Sequence, residues 1–298
     1  MLVLVLSLLL TACAEDADSG GWVDLGVRQP VAADAPSDDV LRVAVAAVLS
    51  PEANLESYVG LADYLSEPLE RPVELVQRRT YAEINDLVAR GAVDLAFVCT
   101  SAYVVGSDRG EMELLVVPEV GGETLYYSIV IASATSEGLD FDDLRGASFA
   151  FTDPMSNSGR AYPTFLVQQM GESPDSFFAS TMFTYSHDRA IAAVADGVVD
   201  AAAVDSLVLD AAMGANTELA SRLKVIHRSP PFGIPPVVVP ASLDPALRQQ
   251  MKDLLLGLAD EPGGPAILAQ MGVDRFVLGD PAQYESARIL IGSLDLEP

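Results

Sequence analysis

From residue 39 onward the chain alternates short apolar runs with longer stretches of helical spacing. "VLRVAVAAV" (Val40 to Val48) reads as a strand, and "LESYVGLADYLSEPL" (Leu55 to Leu69) repeats apolar residues at helical intervals. "PVELVQ" is a short strand, and "YAEINDLVARG" is a helix stopped by Gly91. "AVDLAFVC" is apolar almost throughout, the mark of a strand covered on both faces. "MELLVVPEV" and "LYYSIVIAS" follow as further strands.

A second series starts near residue 140. "FDDLRG" reads as a short helix, "ASFAFT" as a strand and "SGRAYPTFLVQQMG" as a helix. "STMFTY" and "VVDAAAV" are strands on either side of the helix "SHDRAIAAVADG", which ends at Gly197. The helix "DSLVLDAAMGA" and the strand "LKVIHRS" complete the series. "PPFGIPPVVVP" then brackets one apolar run with prolines, and beyond it only helical patterns are read, ending in "PAQYESARILIGSL".

Strands alternating with helices predict an α/β fold of two lobes, each a mostly parallel sheet flanked by helices. Returning the late run "PPVVV" to the first series makes the chain cross between lobes twice, near 128 and near 233. Lobe 1 is then 39–128 plus 234–298, and lobe 2 is 129–233. Two crossovers make a hinged clam with a ligand cleft at the strand ends.

The first 38 residues have another character. "MLVLVLSLLLTAC" is too short for a membrane span and suits the core of a signal peptide, although no Lys or Arg precedes it. Its end, "LTAC", resembles a bacterial lipobox, in which Cys13 is acylated. The expectation is a signal peptide over 1–13, a lipid anchor on Cys13 and a flexible acidic tether over 14–38. The alternative is an N-terminal apolar strand or helix.

Composition narrows the function. Seventeen basic against 43 acidic residues give a formal charge of −26, which argues against nucleic acid or an anionic membrane surface as partner. The membrane is expected to be met through the lipid alone. An anionic ligand must be won by local groups. The two cysteines, Cys13 and Cys99, and two histidines, His187 and His227, lack metal-ligand spacing, so no protein-built metal site and no cofactor are expected.

The candidate chemistry lies in "DPMSNSGR", where a strand hands over to a helix. A helix N-terminus presents unpaired N–H groups and the positive end of its dipole. Ser156, Asn157 and Ser158 add side-chain donors, and Gly159 lets an oxyanion approach the backbone. Together they form an anion site that needs no lysine. Arg160 either adds a charge-assisted bond or, the favoured reading, points to solvent. The competing reading of the whole motif is a plain helix cap.

"DPMSNSGRAYP" resembles the Asp-Pro-x-Ser-x-Ser-Gly-x-x-x-Pro signature of the phosphate/phosphite/phosphonate-binding proteins of ABC importers, the PhnD-like family. "TYAEINDLVARGAVDLAF", "LYYSIVIAS", "SHDRAIAAVADGVVDAAAVDS" and "VIHRSPPFGIPPVVV" resemble further family segments in the same order. The resemblance implies a type II periplasmic-binding-protein fold with ligand between the lobes. It implies that the Ser-x-Ser-Gly helix start holds the ligand oxygens, here Ser156, Asn157, Ser158 and Gly159. The family's first-lobe tyrosine matches Tyr81, its crossover aromatic Tyr126 (with Tyr127 beside it), and its histidine His187. Tyr81 and Tyr126 offer phenolic donors, and a bound dianion would raise the pKa of His187. Thr100 and Ser101 sit where a first-lobe loop meets the cleft, with a helix cap as the alternative. Cys99 beside them reads as a buried small side chain.

The sequence departs from members that take an aminoalkylphosphonate. Pro235 and Leu207 stand where those members place carboxylates for the ligand ammonium. Asp205 is near and either faces the cleft or caps the next helix. The expected ligand is therefore a small oxyanion without an amine: phosphate, phosphite or a simple alkylphosphonate. "PPFGIPP" is expected to fill the space of an aminoalkyl tail. The leading function is a lipid-anchored, extracytoplasmic, monomeric receptor that delivers its ligand to ABC permease subunits and catalyses nothing. An enzyme on the same fold and a sensor subunit for a membrane kinase are the alternatives.

Overall fold

The computed structural model describes residues 39–137 and 140–294, without the side chains of 51–56. Cys13 and the tether over 14–38 lie outside the described residues. Chain order begins with β1 (Leu41–Val45), α1 (Pro51–Ser66), β2 (Val73–Gln77), α2 (Tyr81–Ala89), β3 (Leu95–Phe97), α3 (Thr100–Asp108) and β4 (Met112–Glu119). The crossover strand β5 (Leu125–Tyr126) and β6 (Ser128–Ser133) follow, then a 3-10 turn and β7 (Ser148–Phe151). Next come α4 (Tyr162–Gln169), α5 (Pro174–Phe177), β8 (Ser180–Phe183), α6 (His187–Ala195), β9 (Ala201–Asp205), α7 (Ser206–Ala215), α8 (Thr217–Arg222) and β10 (Leu223–Arg228). The chain continues with β11 (Phe232–Gly233), β12 (Val237–Pro240), α9 (Pro245–Gly257), α10 (Gly264–Gln270), β13 (Arg275–Val277) and α11 (Glu285–Gly292).

The strands form a six-stranded sheet, β13-β4-β12-β3-β1-β2, and a five-stranded sheet, β10-β6-β9-β7-β8. In the first, β1 pairs in parallel with β2 and β3, and the late strand β12 inserts antiparallel between β3 and β4. In the second, β7 is parallel to β8 and β9, while β6 runs against β9 and β10. A two-stranded ribbon of β5 and β11 joins the two passages between lobes, with Tyr126 opposite Phe232.

Alternation along each strand feeds two cores per lobe. In lobe 1, Val43, Leu95, Val237 and Val239 face Leu61, Leu65, Met251 and Leu268 of α1, α9 and α10. Ala44, Ala96 and Val238 point the other way, onto Ile84, Val88 and Leu290. In lobe 2, Ile129, Ile131 and Val204 pack on Ile191, Val194 and Leu209, while Phe149, Phe151 and Ala203 meet Val167, Phe177 and Phe178. Both faces are covered, so the strand runs carry little polar alternation.

Three sequence expectations need correction. The tail is not helical only, because β13 adds a strand antiparallel to β4 at the sheet edge. "LYYSIVIAS" is two strands in different sheets, broken at Tyr127. Thr100 and Ser101 do not sit in a loop; they open α3.

Candidate ligand-binding site

The stretch after β7 folds into an unusual helix start. Ser156 Oγ accepts the backbone N–H of Gly159 at 3.0 Å, a helix cap. The Ser156 carbonyl accepts both Arg160 N–H and Ala161 N–H, and Tyr162 N–H reaches the Asn157 carbonyl. The five residues Asn157–Ala161 thus form one π-helical turn before α4. Pro163, in the first turn of α4, has no N–H for the Gly159 carbonyl four residues back. That carbonyl accepts instead from Thr152 N–H at 3.2 Å. Gly159 lies so close to Thr152 that a Cβ there would stand 1.9 Å from its Oγ1. The glycine is thus required for packing against the strand end.

Asn157 is the junction of three elements. Its Nδ2 donates to the Tyr126 hydroxyl at 3.1 Å, and its Oδ1 accepts from Ser101 Oγ of α3 at 3.2 Å. Ser158 is buried beside it, and its carbonyl accepts from Ser128 Oγ at 2.6 Å. Thr100 Oγ1 donates to the Gly233 carbonyl of the return crossover at 2.8 Å. Of the two crossover tyrosines, Tyr126 is buried here, while Tyr127 carries the Arg228 guanidinium over its ring at 3.7 Å.

Lobe 1 reaches lobe 2 at several further points. Tyr81 N–H donates to Asp153 Oδ2 at 3.1 Å, and Asp153 Oδ1 accepts from Met155 N–H at 2.8 Å. Ser50 N–H donates to Asp188 Oδ1 at 3.0 Å, and His187 N–H donates to the Val48 carbonyl at 3.0 Å. Cys99, buried between the lobes, directs its thiol toward the Met155 carbonyl, and burial pushes its pKa to about 11.

Three titratable groups are set by burial. His187 Nδ1 accepts Asp205 N–H at 3.0 Å, so the ring proton resides on Nε2. Burial holds His187 neutral, with its pKa lowered to about 3. Donation through either nitrogen, expected of a protonated ring, gives way to donation through Nε2 alone. Asp205 caps α7 by accepting Leu207 N–H at 2.7 Å, and burial raises its carboxyl to about 7. Tyr81 is raised well above its ordinary value, first by burial and then by nearby Cys99, Asp153, Asp205 and Tyr126.

Among the described residues, four hydroxyls at these elements are buried without a protein partner: Tyr81 Oη at the start of α2, Thr152 Oγ1 after β7, Thr164 Oγ1 of α4 and Ser186 Oγ preceding α6. Leaving such groups unsatisfied costs roughly 1–3 kcal/mol each. Arg160 is half-buried, and its guanidinium lies over Phe151 at 4.5 Å and Phe183 at 5.6 Å. The polar groups gathered by the two lobes are hydroxyls, amides, one neutral imidazole, the Cys99 thiol and the carboxyls of Asp153 and Asp205, both of which are engaged by backbone N–H groups. Such a set suits an anion bound through dipoles. Sequence reasoning gave no role to Asp153, Ser128 or Ser186. Asp153 stood inside the quoted motif, whereas Ser128 and Ser186 had no signal beyond their place beside Tyr127 and His187.

Two α/β lobes joined by a paired crossover, with polar groups converging between them, define the type II periplasmic-binding-protein fold. The chain belongs to the family described as "ABC transporter, phosphonate, periplasmic substrate-binding protein", whose family model matches residues 43–284. A phosphate-import protein PhnD of Mycolicibacterium smegmatis is 32% identical over 184 residues, 58% of this chain and 57% of that protein. The chain spans less than two thirds of the length of the curated relatives it matches. Among solved structures, a binding-protein component of an ABC phosphonate transporter from Pseudomonas aeruginosa superposes with TM-score 0.79 at 23% identity, covering 85% of both chains. PhnD1 of Prochlorococcus marinus, solved with methylphosphonate, gives TM-score 0.79 at 19% identity over 87% of this chain and 99% of that one.

Proposed function

We propose that this chain is the substrate-binding protein of an ABC importer and captures a phosphorus oxyanion between its lobes. The observation that carries the reading is the Tyr81 hydroxyl, buried without a protein partner on the helix whose first N–H is held by Asp153, in the segment that leads to Ser156–Gly159. An oxyanion would satisfy that hydroxyl and the Nε2–H of His187 without a cationic side chain. Tyr126, Asn157 and Ser158 complete the ligand shell; Thr100, Ser101 and Asp205 shape it through their own hydrogen bonds. The names of the relatives support a phosphorus ligand. The receptor acts outside the cytoplasm as a monomer, is tethered through lipid on Cys13, and hands its ligand to permease subunits met by both lobes.

The test is a thermal-shift panel on phosphate-stripped protein, with phosphate, phosphite, methylphosphonate, 2-aminoethylphosphonate and sulfate. A ligand at about a hundred times its Kd stabilises by roughly 2.7 kcal/mol. Stabilisation by an amine-free phosphorus oxyanion, lost in Ser158→Ala, is the expected result. A flat panel would reduce the helix start to a capping motif. For the anchor, Cys13→Ala should release the protein from the membrane fraction, and continued attachment would remove the lipid from the reading.

A further inference from the structure

Tyr185, between β8 and α6, holds its backbone in the left-handed region at φ 59°. That region is strained for a bulky side chain, and such strain persists only where the surroundings enforce it. Here they do. Tyr185 N–H donates to the Thr152 carbonyl at 2.9 Å, and Thr184 Oγ1 donates to the Ser186 carbonyl at 2.9 Å. Glycine or asparagine would meet the turn with less strain, so the tyrosine calls for a role of its ring.

The ring lies under the Arg79 guanidinium at 4.6 Å. Arg79 belongs to lobe 1, between β2 and α2, and Tyr185 to lobe 2. Arg79 is exposed and forms no ion pair among the described residues, so its charge meets lobe 2 through this ring. Arg79 stands two residues before Tyr81, and Tyr185 two residues before His187. Each lobe thus sets one partner of the contact just ahead of a group assigned above to the oxyanion. The row continues from the Tyr185 ring to Phe183 at 6.1 Å, and from Phe183 to the Arg160 guanidinium at 5.6 Å. Arg160 belongs to the π-helical turn 157–161. Rings and cations therefore connect the contact between the lobes to the helix start.

We propose that Arg79 and Tyr185 form a latch that holds the lobes closed over a bound oxyanion and sets how slowly it leaves. Both are positioning residues, acting through Tyr81 and His187 beside them. This rests on the oxyanion reading above. A cation–ring contact across two lobes exists only when they meet, so losing it acts on release more than on capture.

Rapid filtration with radiolabelled phosphate and methylphosphonate, on the phosphate-stripped full chain, measures release and capture separately. Arg79→Ala and Tyr185→Asn should each release ligand about threefold to tenfold faster, the range for a cation–ring contact, with a smaller change in capture. Tyr185→Phe keeps the ring and should release at the parent's rate. Tyr185→Asn suits the left-handed backbone, so its melting temperature should equal or exceed the parent's while retention falls. A residue that served folding alone would move both together. The double variant should release no faster than the faster single one, because both substitutions break one contact. Parent-like release by Arg79→Ala or Tyr185→Asn would overturn the latch and leave the oxyanion reading standing. Absence of binding by both probes would count against the oxyanion reading. Ligand-free labelling of Cys99, in chains carrying Cys13→Ala, then decides the latch by itself: it should be faster in Arg79→Ala, and a rate equal to the parent's would overturn it.

Discussion

Asp153, in the turn after a lobe 2 strand, accepts the backbone N–H of Tyr81, the first residue of a lobe 1 helix, at 3.1 Å. A carboxylate thus sits at the positive end of α2 and ties that helix to the π-turn segment. Burial raises the Asp153 pKa, opposed by the N–H groups of Met155 and Tyr81. The bond spans the lobes, so it exists only when they are closed. Asp153→Ala should weaken ligand binding by about tenfold to a hundredfold, the range for a hydrogen bond to a charged group. Small-angle scattering should show a larger radius at equal ligand. Unchanged affinity would mean that the lobes close without this clasp.

The contact between Gly159 and Thr152 predicts a stability effect separable from binding. Gly159→Ala places a methyl group 1.9 Å from Thr152 Oγ1 and 2.8 Å from its Cβ. Overpacking of this kind costs typically 1–3 kcal/mol. Adding Thr152→Ala should recover much of the loss in urea denaturation, giving a coupling that two independent sites would not show.

Cys99 offers a readout of opening. Its thiol is buried against the Met155 carbonyl across the lobes, and its raised pKa keeps it protonated. In a chain carrying Cys13→Ala, disulfide-exchange labelling of Cys99 should be slow and should slow at least tenfold further when ligand saturates the site. Labelling at one rate with and without ligand would show that the thiol is reached without lobe opening.

The linked pair His187 and Asp205 predicts opposed pH dependences. His187 is depressed from 6.5 to about 3, so its contribution is full above about pH 6.5 and is lost as pH falls. Asp205 is raised from 3.8 to about 7, so its contribution is present at acid pH and is lost as pH rises from about 4 to 7. Asp205→Asn removes only the second. The stability of that variant relative to the parent should climb with pH across this window, by up to about 1.4 kcal/mol per unit, and level off above it. A difference independent of pH would mean that Asp205 titrates normally in the folded chain.

The long apolar runs made most of the fold legible, because a strand covered on both faces declares itself locally. β13 did not declare itself: Arg275–Val277 is three residues long, and its partner β4 is remote in sequence. The break at Tyr127 was hidden for a related reason, since both halves of "LYYSIVIAS" are strand-like and only the hinge separates them. At the site, "SNSG" marked the correct helix start. Its roles were not readable, because Gly159 is dictated by Thr152 and the Ser156 hydroxyl is taken by the backbone. The ring contacts of half-buried Arg160 were not readable because Phe151 and Phe183 come from two strands of the lobe 2 sheet.

The return crossover is pinned twice to lobe 1, by Thr100 on the Gly233 carbonyl and by the Tyr284 hydroxyl on the Ile234 carbonyl at 2.8 Å. Rotation of the lobes therefore cannot be shared evenly along that passage. It must concentrate in the few residues between β10 and Phe232, on the lobe 2 side of the pins. The axle is thus bolted to one half of the molecule, with Tyr126 paired against it and bonded to Asn157. A force applied at Asn157 acts close to the pivot, where a small local displacement becomes a large excursion at the outer rims of the lobes.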